Sequence, residues 1–219
     1  MQFRATTIAW YLLAICLFFI GLYILLLFVT PGFNALEKGG LAGLFNVNNE
    51  VSIPTWFSQI ILLGCATLLL AIGYAVKSQK RYWKGLGWIF IYLSIDEGAS
   101  IHELTASPLQ ALLNIDSGPL YYTWVVLFGG IFAILVLIYL KFYVSLPSRT
   151  KALFLLSAVL FLCGAIGFEM VSGSIATQTG ESGLDYSLLV AGEELLEMTG
   201  VILFIYGLLD YIEKQKLLR

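Results

Sequence analysis

The sequence predicts an all-α, polytopic membrane protein: a six-transmembrane-helix bundle with one short interfacial helix on its outer face. Three observations carry this. Of the 219 residues 59% are hydrophobic and only 12% charged, a composition foreign to soluble domains of this length. The apolar residues fall into six segments, each near the ~20 residues that a bilayer crossing needs. Lysine and arginine are concentrated in alternate loops, as the positive-inside rule demands of a multi-pass chain. The net charge of −2 gives no sign of a nucleic-acid partner.

The first segment covers residues 5–30 and is ended by Pro31-Gly32. It is too long for a signal-peptide core and no small-residue cleavage site follows it, so it is read as a retained helix. A loop rich in Gly and Asn, residues 34–55, leads to the second segment at 56–76. The third covers 85–104. Ser107-Pro108 ahead of an apolar run at 109–113 predicts a short capped helix lying at the interface. The fourth segment is 120–144, the fifth 152–172 and the sixth 187–211, with a Gly/Ser/Thr-rich loop before the last. No repeat period and no linker divides the chain, so residues 1–219 form a single domain.

Lys77, Lys80, Arg81 and Lys84 lie between segments two and three, and Lys141, Arg149 and Lys151 between four and five. Arg4 precedes the first segment, and Lys214, Lys216 and Arg219 follow the last. The other loops hold Lys38 with Glu37, Glu50, Asp116, Glu181 and Asp185. Both termini are therefore expected in the cytoplasm. Cys16, Cys65 and Cys163 lie in apolar runs without ligand spacing and are expected to be packing residues. Trp56, Phe57, Trp83, Trp88, Tyr121, Tyr122 and Trp124 sit mostly at segment ends, where an interfacial aromatic belt accounts for them.

Acids inside the apolar segments have no such simple reading. Asp96 and Glu97 fall near the middle of segment three, with His102, the one histidine, and Glu103 towards its outer end. Glu169 lies near the outer end of segment five, and Glu193, Glu194 and Glu197 in the outer half of segment six. A carboxylate at the bilayer centre costs about 2.5–3.5 kcal/mol on insertion scales, so such residues must meet each other, water or a cation. At 100° per residue Glu193, Glu194 and Glu197 occupy one compact face, and Asp96, Ser100 and Glu103 share a stripe on segment three. Gly98, Ala99, Gly164, Gly167, Gly192 and Gly200 would let these helices approach closely.

Carboxylates with one imidazole suit a divalent metal ion such as iron, manganese, zinc or calcium. The metal-ligand candidates are Asp96, Glu97, His102, Glu103, Glu169, Glu193, Glu194 and Glu197, with Glu97 and Glu194 as the catalytic candidates. The spacing departs from the Glu-x-x-His pattern of di-metal bundles. A lone histidine excludes bis-histidine haem ligation, and segment six has no lysine for retinal. The expected function is a metal-binding membrane enzyme, hydrolase or oxidoreductase, acting on a lipid-like or small apolar substrate at the extracytoplasmic side. Two alternatives stand beside it: an accessory subunit whose acids are satisfied by membrane-protein partners, and a cation- or proton-coupled carrier, against which the dry inner half of the bundle speaks.

Overall fold

The computed structural model describes residues 4–29, 40 and 42–217. Pro31-Gly32, Glu37, Lys38 and Arg219 lie outside the described residues. No strand occurs among the described residues. The helices in chain order are α1 (Ala5–Val29), α2 (Ile53–Ala75), α3 (Lys80–Ala99), α4 (Ile101–Leu104), α5 (Ala106–Leu113), α6 (Trp124–Ser145), α7 (Ser148–Leu162), α8 (Glu169–Thr179) and α9 (Leu184–Lys214). A π-type turn, Cys163–Phe168, joins α7 to α8.

Among the described residues, four stretches are long and apolar enough to cross a membrane: Ala5–Val29, Ile53–Ala75, Trp124–Ser145 and Ser148–Thr179. The other two long helices, α3 and α9, are the ones that carry most of the acids. α2 begins earlier than expected because Ser52 caps it, its Oγ accepting the Thr55 N–H at 3.2 Å, with Pro54 in the first turn. α3 begins at Lys80 rather than 85, winding its basic residues onto the helix, and ends at Ala99 rather than 104. The expected interfacial helix is α5, which runs from Ala106.

α9 is the central column and packs along α7, α1 and α2, while α2 and α3 form the other close pair. Cys16, Ile20 and Tyr23 of α1, Ile61, Cys65 and Leu69 of α2, and Met198, Ile202 and Leu208 of α9 are buried in one cluster. Cys16 and Cys65 are thus packing residues, whereas Cys163 is exposed on the π-type turn.

One end of the bundle collects the basic residues. The Ala5 N–H donates to Glu213 Oε1 at 3.1 Å, setting the start of α1 beside the end of α9. Asp210, buried, accepts from Arg149 at 3.2 Å and from Lys214 at 2.9 Å. Gln79 donates to Ser145 at 2.9 Å and so joins the two basic loops. Trp83 is not in an interfacial belt. It is buried at this end, with its ring 5.0 Å from Phe142 and 4.9 Å from Tyr211. Trp56 and Trp88 are exposed.

Glycines set how closely α9 can approach its neighbours. A Cβ on Gly200 would lie 2.8 Å from Phe161 N and 2.9 Å from Ser157 O, and one on Gly164 would lie 2.8 Å from Glu193 O. These are backbone atoms, which cannot swing aside. Gly167, by contrast, has open space where its Cβ would be. Gly200→Ala is therefore expected to destabilise by roughly 1–3 kcal/mol through overpacking, while Gly167→Ala is tolerated. Thermal unfolding of the two variants in the same detergent checks this, and equal midpoints would contradict it.

Candidate functional site

The end of the molecule opposite the basic loops is organised by Asp96. Its side chain is buried and both carboxylate oxygens act on one residue. Oδ1 accepts the backbone N–H of His102 at 2.9 Å and Oδ2 meets His102 Nδ1 at 2.9 Å. Tyr92 Oη adds a longer contact to Oδ1 at 3.5 Å. A side chain that captures a following backbone amide competes with helix continuation, and here the helix gives way. Ser100 takes the left-handed conformation, φ 46°, ψ 41°, and separates α3 from α4. This is why the single segment expected at 85–104 is broken. With Nδ1–H donated to the carboxylate, a neutral imidazole carries its lone pair on Nε2.

The His102 ring packs edge-on against Trp124, ring centres 4.7 Å apart. The Trp124 indole N–H in turn donates to Glu169 Oε1 at 2.8 Å. Trp124 thus belongs to the site and not to an aromatic belt. Glu169 follows directly on the π-type turn, a deviation that often marks functional positions in helices. Its carboxyl faces that of Glu193 on α9 closely enough to share a proton.

On the other side of α3, Glu97 has the Ser58 hydroxyl of α2 against it and lies within the fields of Glu50 and Asp96. Glu194 on α9 lies within the fields of Glu97, Glu50 and Glu169. Glu197 meets those of Glu194, Glu193, Glu97 and Glu169. The carboxyls of α3, α8 and α9 therefore converge at one end of the bundle. Among the described residues, the leading charges acting on them are those of other acids and His102. Glu103 differs from the rest: it is exposed on α4 and touches the group through its field on Glu50 and His102.

Glu50 is the member that sequence reasoning passed over as a loop charge. Burial pushes its carboxyl above the ordinary carboxylate range, neighbouring Glu103 adds to this, and the Ser100 hydroxyl beside it acts the other way. The loop that places it is tightly folded. The Asn48 N–H donates to Asn46 Oδ1 at 3.0 Å, the Val51 N–H to Asn49 Oδ1 at 3.2 Å, and Thr55 Oγ1 to Asn49 O at 2.9 Å. The local signal was present in the two side-chain-capped asparagine turns before Ser52. What those turns aim at could not be read without the tertiary fold.

Among the described residues, no group of three or more His, Cys, Asp and Glu side chains is drawn together tightly enough to hold a metal ion. Asp96 is engaged by His102 and Glu169 by Trp124.

Fold and site together define a helical protein with membrane-length apolar helices and a carboxylate–histidine cluster at one end. Residues 10–212 match the family described as a domain of unknown function, DUF8692, and the chain belongs to that family. No curated protein and no solved structure matches the chain.

The left-handed Ser100 yields a sharp expectation. A non-glycine residue there carries a steric cost of about 1–2 kcal/mol, while its hydroxyl faces Glu50. Ser100→Ala and Ser100→Gly both lose the hydroxyl, but only glycine removes the steric cost. Ser100→Gly should therefore be about 1 kcal/mol more stable than Ser100→Ala, read by chemical or thermal unfolding. An alanine variant as stable as the glycine variant would mean that α3 runs on unbroken to His102.

Proposed function

We propose that the chain is an integral membrane protein crossing the bilayer six times, by α1, α2, α3, α6, the α7–α8 span and α9, with both termini in the cytoplasm. The gathering of Arg149, Lys214 and the 77–84 loop at one end supports this orientation, and it sets the carboxylate–histidine cluster towards the extracytoplasmic side. The cluster is proposed to bind a divalent metal ion, and the protein to be a metal-dependent membrane enzyme acting on a lipid-like substrate.

One observation carries the metal reading. Histidines that ligate metals almost always donate their other ring N–H to a carboxylate or carbonyl, which fixes the tautomer and raises ligand basicity. Asp96 and His102 stand in this relation, at 2.9 Å, in a site otherwise made of carboxyls. Asp96 is accordingly reassigned from ligand to the residue that orients His102. His102 Nε2, Glu97, Glu194 and Glu169 are the groups that a bound cation would draw inward, with Glu193, Glu197 and Glu50 around them. When bound, the ion would supply Lewis-acid activation of water or a substrate oxygen. Glu97 and Glu194, both within the field of Glu50 and Glu194 also within that of Glu97, are the candidates for moving a proton.

A second reading has its own support. The close Glu169–Glu193 pair suits carboxyls that share protons without a metal, as a proton-coupled carrier would need.

The two readings predict opposite signs. A ligand present at a hundredfold excess over its Kd stabilises the folded state by about 2.7 kcal/mol. In the metal reading a chelator lowers the melting temperature of the parent, and Glu194→Gln lowers it in metal-replete buffer and abolishes the chelator effect. If the acids only share protons, the chelator does nothing and Glu194→Gln is neutral or stabilising, because it relieves like-charge repulsion. Thermal unfolding of parent and Glu194→Gln, with and without chelator, decides between them.

A further inference from the structure

The end of the molecule that carries the cluster also carries an open cleft of about 310 Å³, lined by Gln110, Ala111, Asn114, Ile115, Asp116 and Tyr121. Local sequence builds it. Asn114 takes the left-handed conformation, φ 55°, ψ 43°, which asparagine tolerates at a helix C-terminus, and so ends α5. The Ile115 N–H turns back to Gln110 O at 3.2 Å, bringing residues 115 and 116 alongside the last turn of α5. Gln110 Nε2 donates to Tyr121 O at 2.7 Å and holds the far wall. The segment is pinned on both sides. Thr123, fully buried, donates to Ala106 O at 2.7 Å, and the Gly118 N–H reaches Thr177 Oγ1 of α8 at 3.4 Å.

The lining is rich in acceptors and carries one charge. An N–H of Gln110 is already given to Tyr121 O, which leaves its Oε1 to accept. Asn114 supplies a second amide carbonyl. Asp116, exposed and acceptor-only, supplies a carboxylate, with the Ser117 hydroxyl on its Oδ1 at 3.1 Å. Three acceptor side chains, one of them anionic, match an ammonium group that brings three N–H donors and a positive charge. A trimethylammonium group has no N–H to give. Ala111 and Ile115 offer apolar wall to the methylenes behind the nitrogen. The volume falls at the small end of the ~300–1,000 Å³ range of ligand pockets, room for an organic head and more than a bare metal ion fills. The surroundings draw cations. Glu103, Glu181 and Asp185 are exposed at this end. Among the described residues, the lysines and arginines fall at the start of α1, at the α2–α3 and α6–α7 junctions and at the end of α9, all at the basic end.

The source of the ammonium follows from the rim. Leu104, Leu112 and Leu113 are 73%, 78% and 42% exposed. Apolar side chains on a short polar-faced helix set it at the boundary of headgroups and acyl chains, so the cleft opens at headgroup depth. We propose that this cleft binds the primary ammonium group of a surrounding lipid of the phosphatidylethanolamine type. This rests on the reading of the chain as a membrane protein and is independent of the metal reading.

The test supplies the full-length protein in detergent with equimolar phosphatidylethanolamine and phosphatidylcholine of identical acyl chains. Retained lipids are counted by native mass spectrometry, in metal-replete and in chelator-treated samples. The parent is expected to retain phosphatidylethanolamine over phosphatidylcholine in both. Asp116→Asn keeps the shape, removes the charge and should lower the ratio roughly two- to fivefold, the range of an exposed ion pair. Ala111→Trp fills the cleft and should remove the preference. Asp185→Asn removes another exposed charge at the same end and should leave the ratio unchanged. Free ethanolamine, equimolar with the lipid, should leave the lipid in place, which separates a headgroup site from a site for soluble amines. Equal retention of the two lipids by the parent, a preference that survives both Asp116→Asn and Ala111→Trp, an equal loss in Asp185→Asn, or displacement by equimolar ethanolamine would overturn the proposal. Retention of neither lipid would overturn the membrane reading along with it.

Discussion

The turn between α3 and α4, and the contacts that radiate from it, depend on Asp96 gripping His102 with both oxygens. One carboxylate takes the backbone amide and the ring nitrogen of the same residue, which a continuous helix would not permit. Helix α3 therefore stops, Ser100 turns left-handed, and His102 swings to face Trp124. Trp124 then fixes Glu169, and Ser100 presents its hydroxyl to Glu50. A pair of contacts six residues apart in sequence thus couples α3, α6, α8 and the loop before α2.

The remaining carboxyls are held in place by something other than mutual attraction. Glu193, Glu194 and Glu197 ride on α9, whose packing along α1, α2 and α7 is mainly apolar. Gly164 and Gly200 allow α9 to sit against the backbone of α7 and the π-type turn. The scaffold accordingly imposes the concentration of acids. In the metal reading that concentration favours a bound cation, which is the physical basis for expecting ligand-dependent stability.

Much of this was legible in the chain. Helical class and the approximate segments follow from apolar runs of bilayer length, and the facing of acids on α3 and α9 from a 3.6-residue period. Three things were not. The break at Ser100 depends on a side chain capturing an amide, and nothing in the run of residues 85–104 signals it as glycine or proline would. Trp83 and Trp124 both sit at segment ends, where burial in an aromatic core, hydrogen bonding to Glu169 and an interfacial position look alike in sequence. Glu50 is distant in sequence from every other member of the cluster, so only the fold reveals it. The pairing of Asp96 with His102 belongs with the break at Ser100, since both are set by a turn that the periodicity cannot describe.

The central claim is that His102 and the carboxyls around it form a site for a divalent metal ion, with Asp96 supporting His102 from behind. Elemental analysis of the purified protein tests it most directly, set beside Glu97→Gln and Asp96→Asn variants. The account predicts a stoichiometric transition or alkaline-earth metal in the parent, none in Glu97→Gln, and a weakened, readily chelated complement in Asp96→Asn, since losing a supporting carboxylate typically costs roughly 10–100-fold in affinity. A parent free of metal after purification and after reconstitution with iron, manganese, zinc and calcium would contradict it.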